Sequence, residues 1–251
     1  MPKPTEFHAA FARALRGVVP GAVTLDETAS TNDDARTLAR EGAPHLTVVV
    51  ADAQTAGRGR LGRTWSSPRG LGLIASWVAR PPLPVERWTL VPLLAGVAAA
   101  EAVRARTGVV ATLKWPNDLR VGERKLGGIL VEAEVPEFVV VGLGVNVSQT
   151  VFPEDLAAIA TSIALEGGMR LDRADLLAAT LREFEEALRD PGAAMERYRA
   201  LCDTLGRRVR VERAHVEPLE GVARAIDERG ALVLDDGTAV ASGDVVHLRD
   251  A

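Results

Sequence analysis

The sequence predicts an α+β fold in two parts, a larger unit with a mixed sheet over residues 1–205 and a small β-barrel over residues 206–251. Three patterns carry that reading. Apolar, β-branched runs of strand length alternate with stretches of helical periodicity through most of the chain. From Gly206 the pattern changes to short alternating runs separated by Asp/Gly turns at hairpin spacing. A chain of 251 residues can bury a proper core, whereas the last stretch alone is near the size limit for independent folding and is expected to dock on the rest.

Residues 5–16 have helical spacing, and Val23–Leu25 is a short extended piece leading to Ser30-Thr31-Asn32-Asp33-Asp34. There Ser30 or Thr31 can cap a helix whose first turn holds the two acids and whose apolar stripe is Ala35, Leu38 and Ala39. Leu46–Asp52 and Leu71–Ala79 read as strands joined by a Gly/Arg-rich loop. After the proline turn at Pro81–Pro84, one long helix is expected over Glu86–Arg106 and a strand over Ala111–Trp115. Asp118–Glu134 reads as a hairpin, with Leu119–Val121 and Leu126–Ala133 on either side of a turn at Gly122–Arg124. Phe138–Val147 is apolar on both faces and so belongs in the centre of the sheet, and helices follow at about 172–189 and 193–204. The terminal strands are Arg208–Glu212, Gly221–Asp227, Ala231–Leu234, Ala239–Ala241 and Val245–Leu248.

A formal charge of −4 argues against a general nucleic-acid binder, so the Arg-rich loop is a local positive site on an acidic protein. The one cysteine, Cys202, excludes an internal disulfide framework and reads as a small buried apolar residue. His8, His45, His215 and His247 are scattered and fit no metal-ligand spacing, so no metal site is expected among them. Met1–Gly21 lacks the apolar core and cleavage site of a secretory signal. The longest near-apolar run, Leu90–Ala100, is shorter than the roughly twenty residues a bilayer needs and reads as a buried helix. A cytoplasmic protein without a membrane partner is the expectation.

The loop from Gln54 to Arg63 holds three glycines and three arginines. Glycines allow close backbone approach, and the guanidinium groups of Arg58, Arg60 and Arg63 offer planar donor forks that match carboxylate or phosphate oxygens. It is neither a nucleotide P-loop nor a dinucleotide-binding Gly-x-Gly-x-x-Gly. Lys114-Trp115-Pro116-Asn117-Asp118-Leu119 and Lys125-Leu126-Gly127-Gly128-Ile129-Leu130-Val131-Glu132 follow. Taken singly these segments have ordinary explanations: a cap, a mobile loop, an exposed ion pair at a strand end, a turn, a bulge. Their occurrence together in this order is harder to explain that way.

In these motifs, and in Gly142-Leu143-Gly144-Val145-Asn146-Val147, the chain closely resembles the biotin protein ligases over almost its whole length. The resemblance implies a catalytic α+β domain related to class II synthetase cores, followed by an SH3-like barrel. It implies two steps at one site: the biotin carboxylate attacks the α-phosphate of ATP to give biotinyl-5′-AMP and pyrophosphate, and a lysine of a biotin carboxyl carrier domain then attacks the mixed anhydride. Magnesium is implied with the triphosphate.

On the matching positions, Ser30, Thr31, Asn32 and Gln54 are implied to hold the ureido ring, with Trp65 and the Gly127-Gly128 strand as walls. Arg58 and Arg60, with the Gly57 and Gly59 backbone, are implied to close over the carboxylate and α-phosphate, and Lys125 to reach the same oxygens. Arg63, Trp65, Lys114, Asn117 and Asn146 are implied on the nucleotide side. Asp118 is the candidate to orient or deprotonate the acceptor amine, whose reference pKa is about 10.4. The glycines of the Arg loop suggest disorder that ligand binding removes. Few residues precede Ser30, so the DNA-binding domain of some relatives, and DNA as a partner, are not expected. The family often pairs through an edge strand, which makes a homodimer an option. The rival readings are a lipoate ligase or octanoyl transferase of the same fold and a non-enzymatic nucleic-acid-binding module.

Overall fold

A computed structural model describes residues 6–169, 171–213 and 216–248; Thr5, the first residue of the expected N-terminal helix, and His215 lie outside them. Seven strands, β1 (Ala22–Leu25), β2 (Val48–Ala51), β3 (Gly72–Ala79), β4 (Thr112–Lys114), β5 (Asp118–Val121), β6 (Arg124–Glu134) and β7 (Phe138–Asn146), form one sheet. Their order is β1-β2-β3-β7-β6-β5-β4, with β1 and β2 parallel and the remaining pairs antiparallel. The run that is apolar on both faces, β7, is the central strand.

Strand alternation assigns the two faces. Leu73, Ala75, Trp77 and Ala79 of β3 and Val139, Val141, Leu143 and Val145 of β7 enter the main core. Helices α1 (Glu6–Ala14), α3 (Val91–Thr107), α5 (Arg173–Arg189) and α6 (Pro191–Leu201) supply the other half of that core. On the opposite face, Val49, Val78, Phe138 and Val140 pack against Ala35 and Ala39 of α2 (Thr31–Arg40). That helix covers only part of its face. Beyond its N-terminus the same face carries Ile74, Ser76, Gly142 and Gly144, which line an open cleft.

The single helix expected over Glu86–Arg106 is corrected to a 3-10 turn, Val85–Leu90, followed by α3, whose first turn contains Pro92. Proline has no N–H to donate and fits the first turn of an α-helix but not its interior. Val85–Thr107 is thus a longer apolar run than Leu90–Ala100, and by length and composition it is enough to cross a membrane. However, 72% of its most apolar stretch is buried inside the fold, as befits the core helix under a sheet. The chain then passes a one-turn helix, α4 (Glu154–Ala157). Cys202 is buried and free, and burial pushes its thiol pKa up, which leaves it inert.

The C-terminal strands β8 (Arg208–Arg213), β9 (Val216–Ile226), β10 (Leu232–Leu234), β11 (Ala239–Val240) and β12 (Asp244–His247) form an antiparallel, SH3-like sheet in the order β11-β10-β9-β8-β12. Their apolar side chains, among them Val209, Val211, Leu232 and Leu234, join the core that holds Leu93 and Trp115. The Gly230 carbonyl accepts a hydrogen bond from Trp115 Nε1 at 2.9 Å, and the Arg229 carbonyl accepts one from Thr89 Oγ1 at 2.7 Å. Gly230 has φ +81°, and a Cβ there would lie 2.7 Å from Leu93 Cδ1. At the other edge of the seam His247 is wedged between Arg120, whose Nη1 is 3.1 Å from Nδ1, and Thr204, whose Oγ1 is 3.1 Å from Nε2. Arg120 can only donate, so Nδ1 is the acceptor and the ring is neutral. Burial, with Lys114, Arg120 and Arg207 nearby, pushes the His247 pKa down to about 4.

Two outcomes follow from the seam. Gly230→Ala is expected to lower stability by about 1–3 kcal/mol through the left-handed backbone and the Leu93 contact; an unchanged urea midpoint would contradict this. For His247 the folded pKa is the lower one, so its stabilising share is present above pH 6.5 and is lost as pH falls toward 4. The stability of His247→Gln should therefore decline less than that of the unsubstituted protein between pH 7.5 and 5, and parallel declines would argue against a neutral buried imidazole.

Candidate active site

Most of the residues singled out in the sequence line one cleft on the open half of the sheet: Ser30, Thr31, Asn32, Gln54, Arg58, Gly59, Arg60, Arg63, Trp65, Asn117, Asp118, Lys125 and Gly128. Gly57, Lys114, Gly127 and Asn146 stand behind that lining rather than in it. The helix start at Ser30 is where the spacing predicts it, but its expected side-chain cap is absent: Ser30 occupies the N-cap position and makes no capping hydrogen bond. These side chains turn to the cleft instead of to their own backbone.

At this polar end Gln54 Oε1 accepts from Thr31 N at 2.8 Å and from Thr31 Oγ1 at 3.0 Å. Thr31 Oγ1 lies 2.7 Å from Ser76 Oγ, which donates to Asn32 Oδ1 at 2.6 Å. Asn32 Nδ2 in turn donates to Glu132 Oε2 at 2.6 Å, which fixes the orientation of the amide. Three short contacts among Gln54, Thr31, Ser76 and Asn32 thus share two hydroxyl protons. Such a cluster has more acceptor capacity than donors, so it suits a ligand that brings N–H groups as well as a carbonyl.

Close packing of this end depends on missing side chains. A Cβ on Gly142 would stand 2.2 Å from Asn32 Oδ1, and one on Gly144 would stand 2.4 Å from Trp65 Cε2. The two glycines of β7 therefore let Asn32 and Trp65 lie directly on the sheet. One on Gly57 would meet Trp65 O at 2.4 Å and Gln54 Nε2 at 2.7 Å.

The Arg loop folds as a hairpin closed by its own backbone hydrogen bonds. Trp65 N donates to Gly57 O at 2.9 Å and Gly59 N to Arg63 O at 2.7 Å, with Leu61 at its tip in the left-handed region at φ +55°. Its three guanidinium groups leave in three directions. Arg58 forms a two-pronged pair with Asp33 at 2.6 and 2.7 Å and lies 3.4 Å from Glu132 Oε2. Arg63 pairs with Asp244 of β12, so the C-terminal sheet supplies part of the cleft wall. Arg60 donates to the neutral Asn117 Oδ1 at 3.2 Å, and burial holds its pKa below the usual arginine value.

Lining the same cleft, Lys125 Nζ donates to Asp118 Oδ1 at 2.6 Å and stands 5.9 Å from the centre of the Trp65 ring. Asp118 is also the strand partner of Lys114, whose pKa is lowered chiefly by burial. Asn117 Nδ2 donates to Ile129 O at 2.9 Å, so the Asn117 amide is fixed for Arg60. Asn146 is buried at the end of β7, where Nδ2 donates to Thr161 O at 2.9 Å and Oδ1 accepts from Gln149 at 3.2 Å. Gly128 gives room to Lys125, 3.4 Å from where a Cβ would be, and Gly127 lies against Gly144 O. Among the described residues, no group of three or more His, Cys, Asp or Glu is arranged to hold a metal ion.

Sequence reasoning missed Ser76, Asp33 and Asp244 as parts of this site, and it quoted Glu132, Gly142 and Gly144 within motifs without giving them a role there. Ser76 is the lone polar residue of β3, and Gly142 and Gly144 share one face of β7; those were signals. The pairing of Asp33, Glu132 and Asp244 with loop arginines has no local signature. The finished cleft has a donor-poor polar end, an indole wall and a desolvated cationic end, which together suit a small heterocyclic acid and an anionic co-substrate.

Comparison with known proteins agrees. Residues 24–146 match the Biotin/lipoate A/B protein ligase family, and residues 204–248 match the Biotin protein ligase C terminal domain. The chain is 40% identical over 240 residues to a biotin--[acetyl-CoA-carboxylase] ligase of Mycobacterium tuberculosis, covering 89% of this chain and 87% of that one. It is also 40% identical over 171 residues to a bifunctional ligase/repressor BirA of Bacillus spizizenii; there the match spans only 53% of the relative's length. A biotin protein ligase of Aquifex aeolicus, solved with biotin and ATP, superposes with a TM-score of 0.78 at 29% identity, covering 92% of this chain and 100% of that one. The fold, the cleft and these likenesses agree, and the chain belongs to the biotin/lipoate A/B protein ligase family.

Proposed function

We propose that this chain is a biotin protein ligase, which uses MgATP to convert biotin to biotinyl-5′-AMP and pyrophosphate and then transfers the biotinyl group to a lysine of a carboxylase carrier domain. The observation that carries this reading is the single cleft that joins the acceptor-rich cluster of Thr31, Asn32, Gln54 and Ser76 to the cationic pair Arg60 and Lys125. A ureido ring supplies the N–H donors and carbonyl that the cluster and Ser30 lack, with Trp65 along its side. A dithiolane or an alkyl chain would bring no N–H to a cluster whose contacts share two hydroxyl protons, which favours biotin over lipoate or octanoate.

In the first step the biotin carboxylate oxygen forms a bond to the α-phosphorus as the bond to pyrophosphate breaks. Two anions must approach, so fixed cations aimed at the developing charge supply most of the assistance. Arg60, held by Asn117 and poorly solvated, and Lys125, held by Asp118, are the groups placed for this, with Lys114 behind them for the departing phosphates. Arg58, Arg63 and Lys125 contribute less field than their charge suggests, because Asp33, Glu132, Asp244 and Asp118 pair with them, which leaves Arg60 as the loop arginine without a direct carboxylate partner. The Gly57 and Gly59 backbone shapes the hairpin that covers the anions. We assign Mg2+ to the substrate: it would arrive on the triphosphate and offset its charge, since no group of three or more His, Cys, Asp or Glu among the described residues is placed to hold it. Asn146, whose amide is engaged, acts by holding the end of β7 and the following loop.

In the second step the acceptor amine, once deprotonated, attacks the acyl carbon and AMP leaves. Asp118 is the nearest carboxylate to Lys125 and the proposed partner of the amine. We place the protein in the cytoplasm. Residues 130–134 of β6 lie beyond its pairing with β5 and offer an edge for pairing of two copies. With Arg58 and Arg63 paired to carboxylates and Arg60 turned to Asn117, the loop offers little to a nucleic-acid backbone.

Pyrophosphate release from MgATP tests the reading. Release is expected with biotin and not with lipoate or without acid, and Arg60→Ala should reduce it by at least about 100-fold. Release with lipoate alone would assign the sister activity, and release with neither acid would overturn the reading.

A further inference from the structure

The Arg58 fork is built of more than one exposed ion pair. Asp33, at the start of α2, receives both Arg58 Nη atoms and also Arg36 Nη1 at 3.0 Å. Glu132 of β6 faces Arg58 at 3.4 Å, Arg36 at 2.8 Å and the cleft residue Asn32 at 2.6 Å. Asp33 and Glu132 with Arg58 and Arg36, extended through Glu134 to Arg40, therefore form a neutral network of three carboxylates and three guanidinium groups that reaches from the Arg loop to the polar end of the cleft. A lone pair as exposed as Arg58 and Asp33, at 38% and 44%, would hold a loop only weakly. A two-pronged pair inside a network is more directional. A ligand anion that captured Arg58 would leave Asp33 and Glu132 sharing Arg36 alone, so the fork is better suited to anchoring than to exchange.

The hairpin's remaining side-chain anchors, Arg60 to Asn117 and Arg63 to Asp244, are at the other end of the cleft. We propose that Asp33, seconded by Glu132, is a positioning residue: its fork with Arg58 straps the Arg hairpin over the acid-binding end of the cleft and retains the acyl-adenylate until the acceptor amine arrives. This rests on the ligase reading above. An activated mixed anhydride is useful only while the loop that covers it stays closed, and lid opening sets its escape.

The test compares the unsubstituted protein with Asp33→Asn and Asp33→Glu. One readout needs no activity: trypsin cleavage after Arg60 and Arg63 in the absence of substrates. The other is the share of biotinyl-5′-AMP recovered free in solution from biotin and MgATP without acceptor. Asp33→Asn should raise both by about two- to fivefold, the range an ion pair of this exposure supports, and Asp33→Glu should restore most of the difference. Unchanged cleavage and unchanged escape would overturn the proposal, as would tighter biotin binding with unchanged cleavage, which would make Asp33 a mere competitor for Arg58. If the unsubstituted protein forms no adenylate, the ligase reading fails while the cleavage comparison still decides the strap. If Asp33→Asn does not fold, Arg58→Lys, which keeps the charge and loses the fork, should show the same rise in cleavage.

Discussion

Three arginines within six residues cannot share one small cleft without strong mutual repulsion, and the way each is compensated organises the site. The hairpin sends Arg58 to the acids of α2 and β6 and Arg63 to the acid of β12, and it leaves Arg60 against the neutral oxygen of Asn117. Arg60 is thereby left as the desolvated loop arginine without a direct carboxylate partner, with Asp244 and Asp118 acting on it only at longer range. The same contacts tie the loop to three separate parts of the fold. A single set of ion pairs thus both shapes the cover of the cleft and occupies the arginines on either side of Arg60.

The sheet makes this arrangement possible. One face is committed to the helical core, and the other is covered by α2 only as far as Asn32. The uncovered half is lined by Gly142 and Gly144, where any side chain would collide with Asn32 or Trp65. The polar end of the cleft is consequently set by backbone shape as much as by hydrogen bonding. The C-terminal sheet completes the wall through Asp244 and is itself held by the Trp115 to Gly230 hydrogen bond, next to the Pro116-Asn117 turn that positions Arg60.

Much of this was legible in the sequence because the signals are local. Alternating apolar runs gave the strands from Leu46 onward, the doubly apolar run gave the central β7, and the Gly/Arg loop with the two lysine segments marked the cleft. What escaped depends on partners distant in the chain. Nothing near Asp33 indicates that its carboxylate meets Arg58, and nothing near Asp244 indicates Arg63. Ser30 and Thr31 looked like capping residues because a local hydrogen bond was available; the tertiary site diverts Thr31 to Gln54 and Ser76, and Ser30 caps nothing. The long helix at Glu86 failed at Pro92, a local signal that apolar periodicity outweighed.

The central claim is that Arg60, not Arg58 or Arg63, is the principal anion-binding arginine of the cleft. Calorimetric titration of a non-hydrolysable biotinyl-adenylate analogue into Arg58→Ala, Arg60→Ala and Arg63→Ala proteins tests it most directly. The account predicts that Arg60→Ala loses about 100-fold or more in affinity while the other two lose at most about tenfold, through loop anchoring rather than direct contact. Equal losses at all three positions, or a dominant loss at Arg58, would contradict it.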